Sequence, residues 1–397
     1  MKKFQFWTLA LTTLLFGACS DDKTAPQPQP EGTASISVRV SGTPTAKATG
    51  SSHNAHESID IKNLQILVFA NGVKAGYGKA EAEGATTSVT EVKGILVTAG
   101  QSYNVYAFGN VYAADGTTML DLSTITKVDE LPAIENIANQ FSHSTVAGKA
   151  TTSSLQAGQN ALGYGASPTT GTSVGDDFKV KRIVAKVMLT RCEKETSINT
   201  NLTINKVYIL NGKNQSKLTG TSLKVNGFEN FVYGSNPGGT TPFKNNTLYP
   251  GSYHSIPKDP TTITPTTALA DNWPNGGVSS TAPLYYYLFE NNGNEAASGE
   301  YSVITDHKAS TMLVIEGKWK DDPSVAGEGE TVYYPIIINV NTGQTQEYTI
   351  IRNNVYDIQV TITRKGANNP WVAVNAWLDA QITLEPWNTP ITQSVIW

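Results

Sequence analysis

Ala34-Ser35-Ile36-Ser37-Val38-Arg39-Val40 places Ile36, Val38 and Val40 at alternate positions against Ser35, Ser37 and Arg39, the period of a β-strand buried on one face. An amphipathic helix would need its apolar residues three and four apart. The same grammar recurs on either side. Residues 64–69 form a continuous apolar run that ends at Asn71-Gly72, a turn pair suited to a hairpin. Further strands are expected at 95–98, 103–110, 181–189, 202–210, 284–290, 312–319, 332–340 and 355–362, separated by Asn, Thr, Gly and Pro. Near the end, Val372, Val374, Ala376, Leu378, Ala380, Ile382 and Leu384 alternate with polar positions, Pro386-Trp387 interrupts, and Ile391, Gln393, Val395 and Trp397 share one face of a last strand. One stretch departs from the pattern: Leu122, Ile125, Val128 and Leu131 recur at spacing three, which predicts a short helix before Pro132.

The fold expected is therefore all-β with one short helical segment. At 397 residues the chain has room for more than one domain, and the polar stretch 169–176 reads as a boundary. The 34 glycines and 17 tyrosines suit strands joined by many turns. A net charge of −4 with only 16% charged residues argues against a general nucleic-acid binder, and two cysteines cannot supply a disulfide framework.

The first residues read as a targeting device. Lys2 and Lys3 precede an apolar run over 4–16 that is short for a membrane span, and Gly17-Ala18 leads into Cys19 and the acidic Ser20-Asp21-Asp22. This is the form of a lipoprotein signal over 1–18 with lipid on Cys19; the alternative is an ordinary secretory cleavage near Ala18 with an incidental thiol. No later stretch is long and apolar enough for a membrane helix, so the expected anchor is lipid alone. Residues 23–31 form a proline-spaced tether. The other cysteine, Cys192, ends a strand-like run and reads as a buried thiol.

Catalytic and metal motifs are lacking. No Gly-rich phosphate loop opens a helix, and His53 and His56 read as a solvated pair in a long Ser/Thr/Gly stretch over 41–57. Asp176-Asp177 and Asp321-Asp322 sit in turn-like sequence, where aspartate is expected for local hydrogen bonds. No cofactor or metal is expected. Tyr285-Tyr286-Tyr287 and Trp273 could stack on a sugar, so a surface glycan-binding lipoprotein is the alternative function; within a strand, though, at least one of the three tyrosines must face the core.

What these readings leave over is a short amphipathic strand, a long accessible loop after it, and an apolar strand at the other terminus. If Ile36, Val38 and Val40 fill a groove along a sandwich edge, their burial is worth roughly 4–9 kcal/mol. Cutting the loop after a basic residue would let this first strand leave, and the terminal strand of another copy could take its place. Donor and groove lie on different surfaces, so the contact would run head-to-tail and build a filament.

The whole chain resembles the major fimbrillins of type V pili, the protease-assembled fimbriae of Gram-negative anaerobes. The resemblance is carried by Glu31-Gly32-Thr33-Ala34-Ser35-Ile36-Ser37-Val38, by Val180-Lys181-Arg182-Ile183-Val184-Ala185-Lys186, by Tyr333-Tyr334-Pro335-Ile336-Ile337-Ile338-Asn339, and by Arg352-Asn353-Asn354-Val355-Tyr356-Asp357-Ile358 followed by Thr361-Ile362-Thr363. Even the closing Trp397 agrees.

The resemblance implies two tandem β-sandwich domains of transthyretin-like, Greek-key type, over 48–176 and 177–397, and no enzymatic role. It implies export to the outer membrane as a lipoprotein, a lipidated propeptide over 19–47 that contains the removable strand with Ile36, Val38 and Val40, and a donor strand carrying Ile391, Val395 and Trp397. Carried over by position, cleavage by a trypsin-like surface protease falls between Lys47 and Ala48, where relatives usually have Arg. Lysine keeps the charge but not the guanidinium geometry, and Arg39 is a chemical rival inside a paired strand. The implied partners are like subunits in a homopolymer, minor tip and anchor subunits, and host or bacterial surface receptors; the implied role is a fimbrial stalk supporting adhesion and biofilm.

Overall fold

The alternation at residues 34–40 becomes a strand, β1 (Thr33–Gly42). Nine further strands follow it closely in the chain: β2 (Asn63–Ala70), β3 (Val73–Glu81), β4 (Glu91–Thr98), β5 (Asn104–Gly109), β6 (Ala133–Ile134), β7 (Val146–Thr151), β8 (Gly158–Leu162), β9 (Thr172–Ser173) and β10 (Phe178–Arg182). The second half supplies β11 (Val184–Lys194), β12 (Asn201–Leu210), β13 (Ser216–Lys217), β14 (Leu284–Phe289), β15 (Met312–Lys320), β16 (Glu330–Ile337), β17 (Asn354–Ile362), β18 (Asp379–Ile382), β19 (Glu385–Pro386) and β20 (Ile391–Ile396). The structure is a computed structural model and describes residues 32–42, 60–83, 88–113, 115–135, 140, 144–195, 201–213, 215–220, 284–291, 310–339, 348–368, 379–382, 385–386 and 391–396.

Nine of the first ten strands form two layers, β3-β2-β5-β7-β10 and β4-β1-β8-β9, joined where the end of β1 runs parallel to β10, while β6 pairs with β13. Between them lie Ile36, Val38 and Val40 of β1, Leu64, Ile66 and Val68 of β2, Val92, Ile95 and Val97 of β4, and Val105 and Ala107 of β5. Spacing by two puts these side chains on the inner faces, and in β4 a bulge opposite residues 36–38 lets Val92 and Ile95, three apart, share one face. The expected Asn71-Gly72 hairpin forms, with φ of 49° and 82°, the positive values a tight two-residue turn needs.

The second half repeats this pairing. β11 is antiparallel to β14 and parallel to β17, as β1 is antiparallel to β4 and parallel to β8. β17 is parallel to β20 as β8 is to β9, and β12-β15-β16 matches β2-β5-β7. The orders β3-β2-β5-β7 and β4-β1-β8-β9 are those of a transthyretin-like sandwich. Leu67, Phe69, Tyr106 and Phe108, on the face of their sheet turned away from β1, join one apolar cluster with residues of the second set of sheets, which explains why β2 is buried on both faces.

Three expectations change. The helix expected from residue 122 is two 3₁₀ turns, Leu122–Thr124 and Val128–Glu130, separated by extended backbone at Ile125. Spacing three matches three residues per 3₁₀ turn rather than 3.6. Side chains stop the helix from propagating: Asp121 accepts from the Ser123 N–H, and Glu130 accepts from the N–H groups of Thr126 and Lys127. The run 181–189 is two strands, because β10 pairs with β7 and β1 in the first pair of sheets and β11 begins the second. The change of pairing partner falls at Ile183, between β10 and β11.

Candidate functional site

The third change concerns the first strand. β1 does not lie along an edge; it is the inner strand of its sheet, with β4 on one side and β8 on the other. Residues 34–38 pair in parallel with 158–162, and residues 33–39 pair antiparallel with 91–98, with a register shift between Ile36 and Val38. Ala34, Ile36 and Val38 have no exposed surface and Val40 has 2%. The strand ends are tied too: the Val40 N–H donates to the Thr90 carbonyl at 2.8 Å and the Ala99 N–H to the Gly32 carbonyl at 3.0 Å. Asn160, itself buried, donates to the Ser35 carbonyl at 3.3 Å. Taking β1 out would open a slot with an unpaired strand on each side and an apolar floor.

On the outer face Arg39 lies 4.1 Å over the Tyr164 ring and 3.8 Å from Glu91, whose carboxylate also accepts from the Tyr164 hydroxyl. This corner holds the late part of β1 from outside, although an exposed ion pair and a cation–π contact each contribute about 1 kcal/mol or less. The turn beneath it requires glycine: Gly163 has φ +83°, and a Cβ there would stand 1.9 Å from the Arg39 carbonyl oxygen. Sequence reasoning missed Glu91, Asn160, Gly163 and Tyr164. Only the Gly163-Tyr164-Gly165 turn was open to it, and no pattern linked that turn to Arg39.

At the other terminus β20 lies between β17, to which it is parallel, and β18, to which it is antiparallel. Tyr356 pairs with Ile391 and Val360 with Val395. The last strand is thus seated in its own chain's sheet, with one parallel and one antiparallel neighbour. β1 has the same two kinds of neighbour.

Two of the stretches singled out in the sequence meet in space. Asn353, at φ +61°, accepts from the Arg182 N–H at 3.1 Å and donates its own N–H to the Val184 carbonyl at 2.7 Å. It pins the start of β17 to the crossing at Ile183. Arg352 beside it donates to Glu290 at 2.8 Å and to the Lys217 carbonyl at 2.9 Å.

With this geometry in place, comparison with known proteins is informative. Residues 34–204, from β1 into β12, match the family model of the major fimbrial subunit protein (FimA). Over its whole length the chain is 27% identical to the whole of the major fimbrium subunit FimA type-2 of Porphyromonas gingivalis, and 27% identical to the whole of the type-3 subunit of that organism. The chain is thus similar, from end to end, to major fimbrial subunits. A crystal structure of a fimbrilin (FimA) from P. gingivalis W83 superimposes with a TM-score of 0.58 at 21% identity, covering 92% of this chain and 98% of that one, a likeness of fold.

Among the described residues, Ile36, Val38 and Val40 occur together on β1, and Ile391 and Val395 on β20. Cys19, Lys47, Ala48 and Trp397 lie outside the described residues, as do Trp273 and all five histidines. Tyr285, Tyr286 and Tyr287 are at most 3% exposed, and the Tyr286 hydroxyl donates to the Val207 carbonyl at 2.8 Å. These three rings are core, so they offer no sugar-binding platform. Cys192 is buried at 1% exposure. Asp322 accepts from the Ser324 N–H and hydroxyl, as its turn-like sequence suggests. Among the described residues no three His, Cys, Asp or Glu side chains gather as a metal site, and no helix is long and apolar enough to cross a membrane.

Proposed function

We propose that the chain is the major structural subunit of a surface fimbria, exported as a lipoprotein with lipid on Cys19, cut between Lys47 and Ala48 by a trypsin-like surface protease, and polymerised by strand exchange. On this reading residues 19–47 form a propeptide, two tandem sandwiches follow with the crossing at Ile183, and the strand with Ile391, Val395 and Trp397 enters the slot that Ile36, Val38 and Val40 vacate in the next subunit. Like subunits are then the main partners. Tip and anchor subunits and surface receptors complete the assembly, which supports adhesion and biofilm, and no catalysis is involved.

The observation that carries this reading is the double seating of β1 between β4 and β8, together with its position ahead of residues 43–59. Only a strand with two neighbours leaves behind a slot that demands another strand, since both flanking ladders and the apolar floor lose their partner at once. β20 already has one parallel and one antiparallel neighbour, so it could enter with the polarity of β1 and restore both pairings.

N-terminal sequencing of material sheared from the cell surface tests the reading. The expected first residue is Ala48, in high-mass species that survive mild denaturant and fall apart on boiling. Surface material made only of uncut single chains that begin at a lipidated Cys19 would overturn it.

A further inference from the structure

Away from the slot, on the other face of the β5-β7-β10 sheet, two hollows of about 280 and 740 Å³ share Tyr106, Lys149, Leu218 and Thr219 and so form one groove. Cations crowd it: Lys149, Lys179, Lys181 and Arg352 line the smaller hollow, and Lys127, Lys149 and Lys217 the larger, where Asp129 is the one carboxylate of the lining. Arg352 is neutralised by Glu290 at 2.8 Å. Among the described residues no carboxylate pairs with Lys149, Lys179, Lys181 or Lys217. The floor is apolar, with Tyr106 and Leu218 largely covered, and the ammonium of Lys149 stands 5.4 Å from the centre of the Tyr106 ring. This concentration of positive charge belongs to a chain with a net charge of −4, so acidic surface must lie elsewhere on it.

The β15–β16 hairpin presents such a surface. Its connection over 321–329 is exposed throughout and carries Asp321, Asp322 and Glu328, with Glu330 next. Lys365 pairs with Asp321 at 3.4 Å and Glu330 at 2.8 Å, which leaves Asp322 and Glu328 toward the tip. Hydrogen bonds from Ser324 hold the Asp322 carboxyl below its ordinary pKa, so it stays ionised. Among the described residues the exposed large apolar side chains are Val73 (56%), Leu96 (60%) and Val325 (57%). Val325 belongs to this hairpin and Val73 lines the groove. The two surfaces thus match in charge and in having an apolar side chain to cover.

We propose that the lysine groove receives the acidic β15–β16 hairpin of a second copy of the chain. Groove and hairpin are different surfaces, so the contact is heterologous and can repeat from copy to copy. A peptide cannot add to β7 here by backbone pairing, because β7 already has β5 and β10 as neighbours; recognition is by side chains, and opposite charges give it specificity. The contact does not depend on strand exchange.

The test uses uncut full-length chains in a Cys19→Ser background, where the first strand keeps its place, so its outcome is separate from that of the fimbrial reading. Chains carrying Val325→Cys are mixed with differently tagged chains carrying Val73→Cys and oxidised mildly. The expected disulfide-linked yield is about tenfold above that for Val325→Cys with Leu96→Cys, and falls toward that control at about 0.5 M salt, where the Debye length is only a few ångströms. Reversing Asp322 and Glu328 to Lys in one chain should lower the yield, and reversing Lys149 and Lys217 to Glu in the other should restore it. A yield equal to the Leu96 control, or reversals with no effect and no rescue, would overturn the proposal. So would protection of the groove lysines from acylation by a polyanionic saccharide but not by a second copy.

Discussion

Gly163 shows how one residue can control a strand distant from it in sequence. Its φ of +83° and the 1.9 Å that would separate a Cβ from the Arg39 carbonyl mean that any side chain pushes β1 outward. Gly163→Ala is expected to cost about 2–4 kcal/mol, combining left-handed strain with displacement of the strand. Thermal unfolding checks the magnitude, and trypsin sensitivity at Arg39 checks the place. An unchanged melting temperature would show that the turn relaxes without moving β1. Asp115 makes a second prediction at this scale. It accepts from the N–H groups of Thr117 and Thr118 and from the Thr118 hydroxyl, which lowers its pKa to about 2. A carboxyl lowered by folding stabilises the turn above its unfolded pKa and ceases to do so as pH falls through the folded one. The Thr117 and Thr118 amides should therefore keep their hydrogen-bonded chemical shifts down to about pH 3 and lose them near the Asp115 pKa, and Asp115→Asn should remove that transition.

At the scale of elements, much of the fold was legible and one aspect of it was not. Alternation in β1, the Asn71-Gly72 hairpin and the long apolar strands β12, β15 and β17 could be read directly, since each carries its own period. β7 and β8 could not, because Gly148 and Gly158 break the β pattern; at Gly148 a Cβ would stand 2.7 Å from the Lys179 carbonyl, so the sheet needs glycine where sequence reading sees weakness. The break at Ile183 was hidden for the opposite reason: the run on both sides is uniformly strand-like, and only the change of pairing partner divides it. Nor does alternation, which reports faces, say whether a strand has one neighbour or two. That distinction matters for β1. Held by two ladders and four buried apolar side chains, it should remain in place after a clean cut at Lys47, because vacating the slot without a replacement costs about 4–9 kcal/mol in apolar burial alone. Chains cut by trypsin and kept dilute are expected to retain the 32–42 segment on gel filtration and to lose it only as polymers form. Loss of the segment from dilute monomers would show that β1 leaves before a donor arrives.

Across the whole molecule the two sets of sheets share one pairing scheme, yet they differ in what can leave. The strand equivalent to β1 in the second set is β11, which follows β10 through Ile183 alone and cannot be cut away without severing the chain. A cut between strands can thus free an inner strand in the first set only, whereas β20 follows every other described strand of the second set. On the proposed strand exchange this asymmetry would give each subunit one acceptor and one donor, so two kinds of defective chain should stop growth at opposite ends. On that reading a cut chain lacking 391–397 would accept but not donate, and an uncut chain would donate but not accept. Either one, added at a few per cent to polymerising wild-type chains, should shorten filaments in proportion to its share, and both together should shorten them further. Both variants should remain folded: the uncut chain is unaltered, and the truncated one keeps β11, β14 and β17 paired. Filament lengths measured by electron microscopy decide the matter, and lengths indifferent to the truncated chain would remove the C-terminal strand from the assembly reaction.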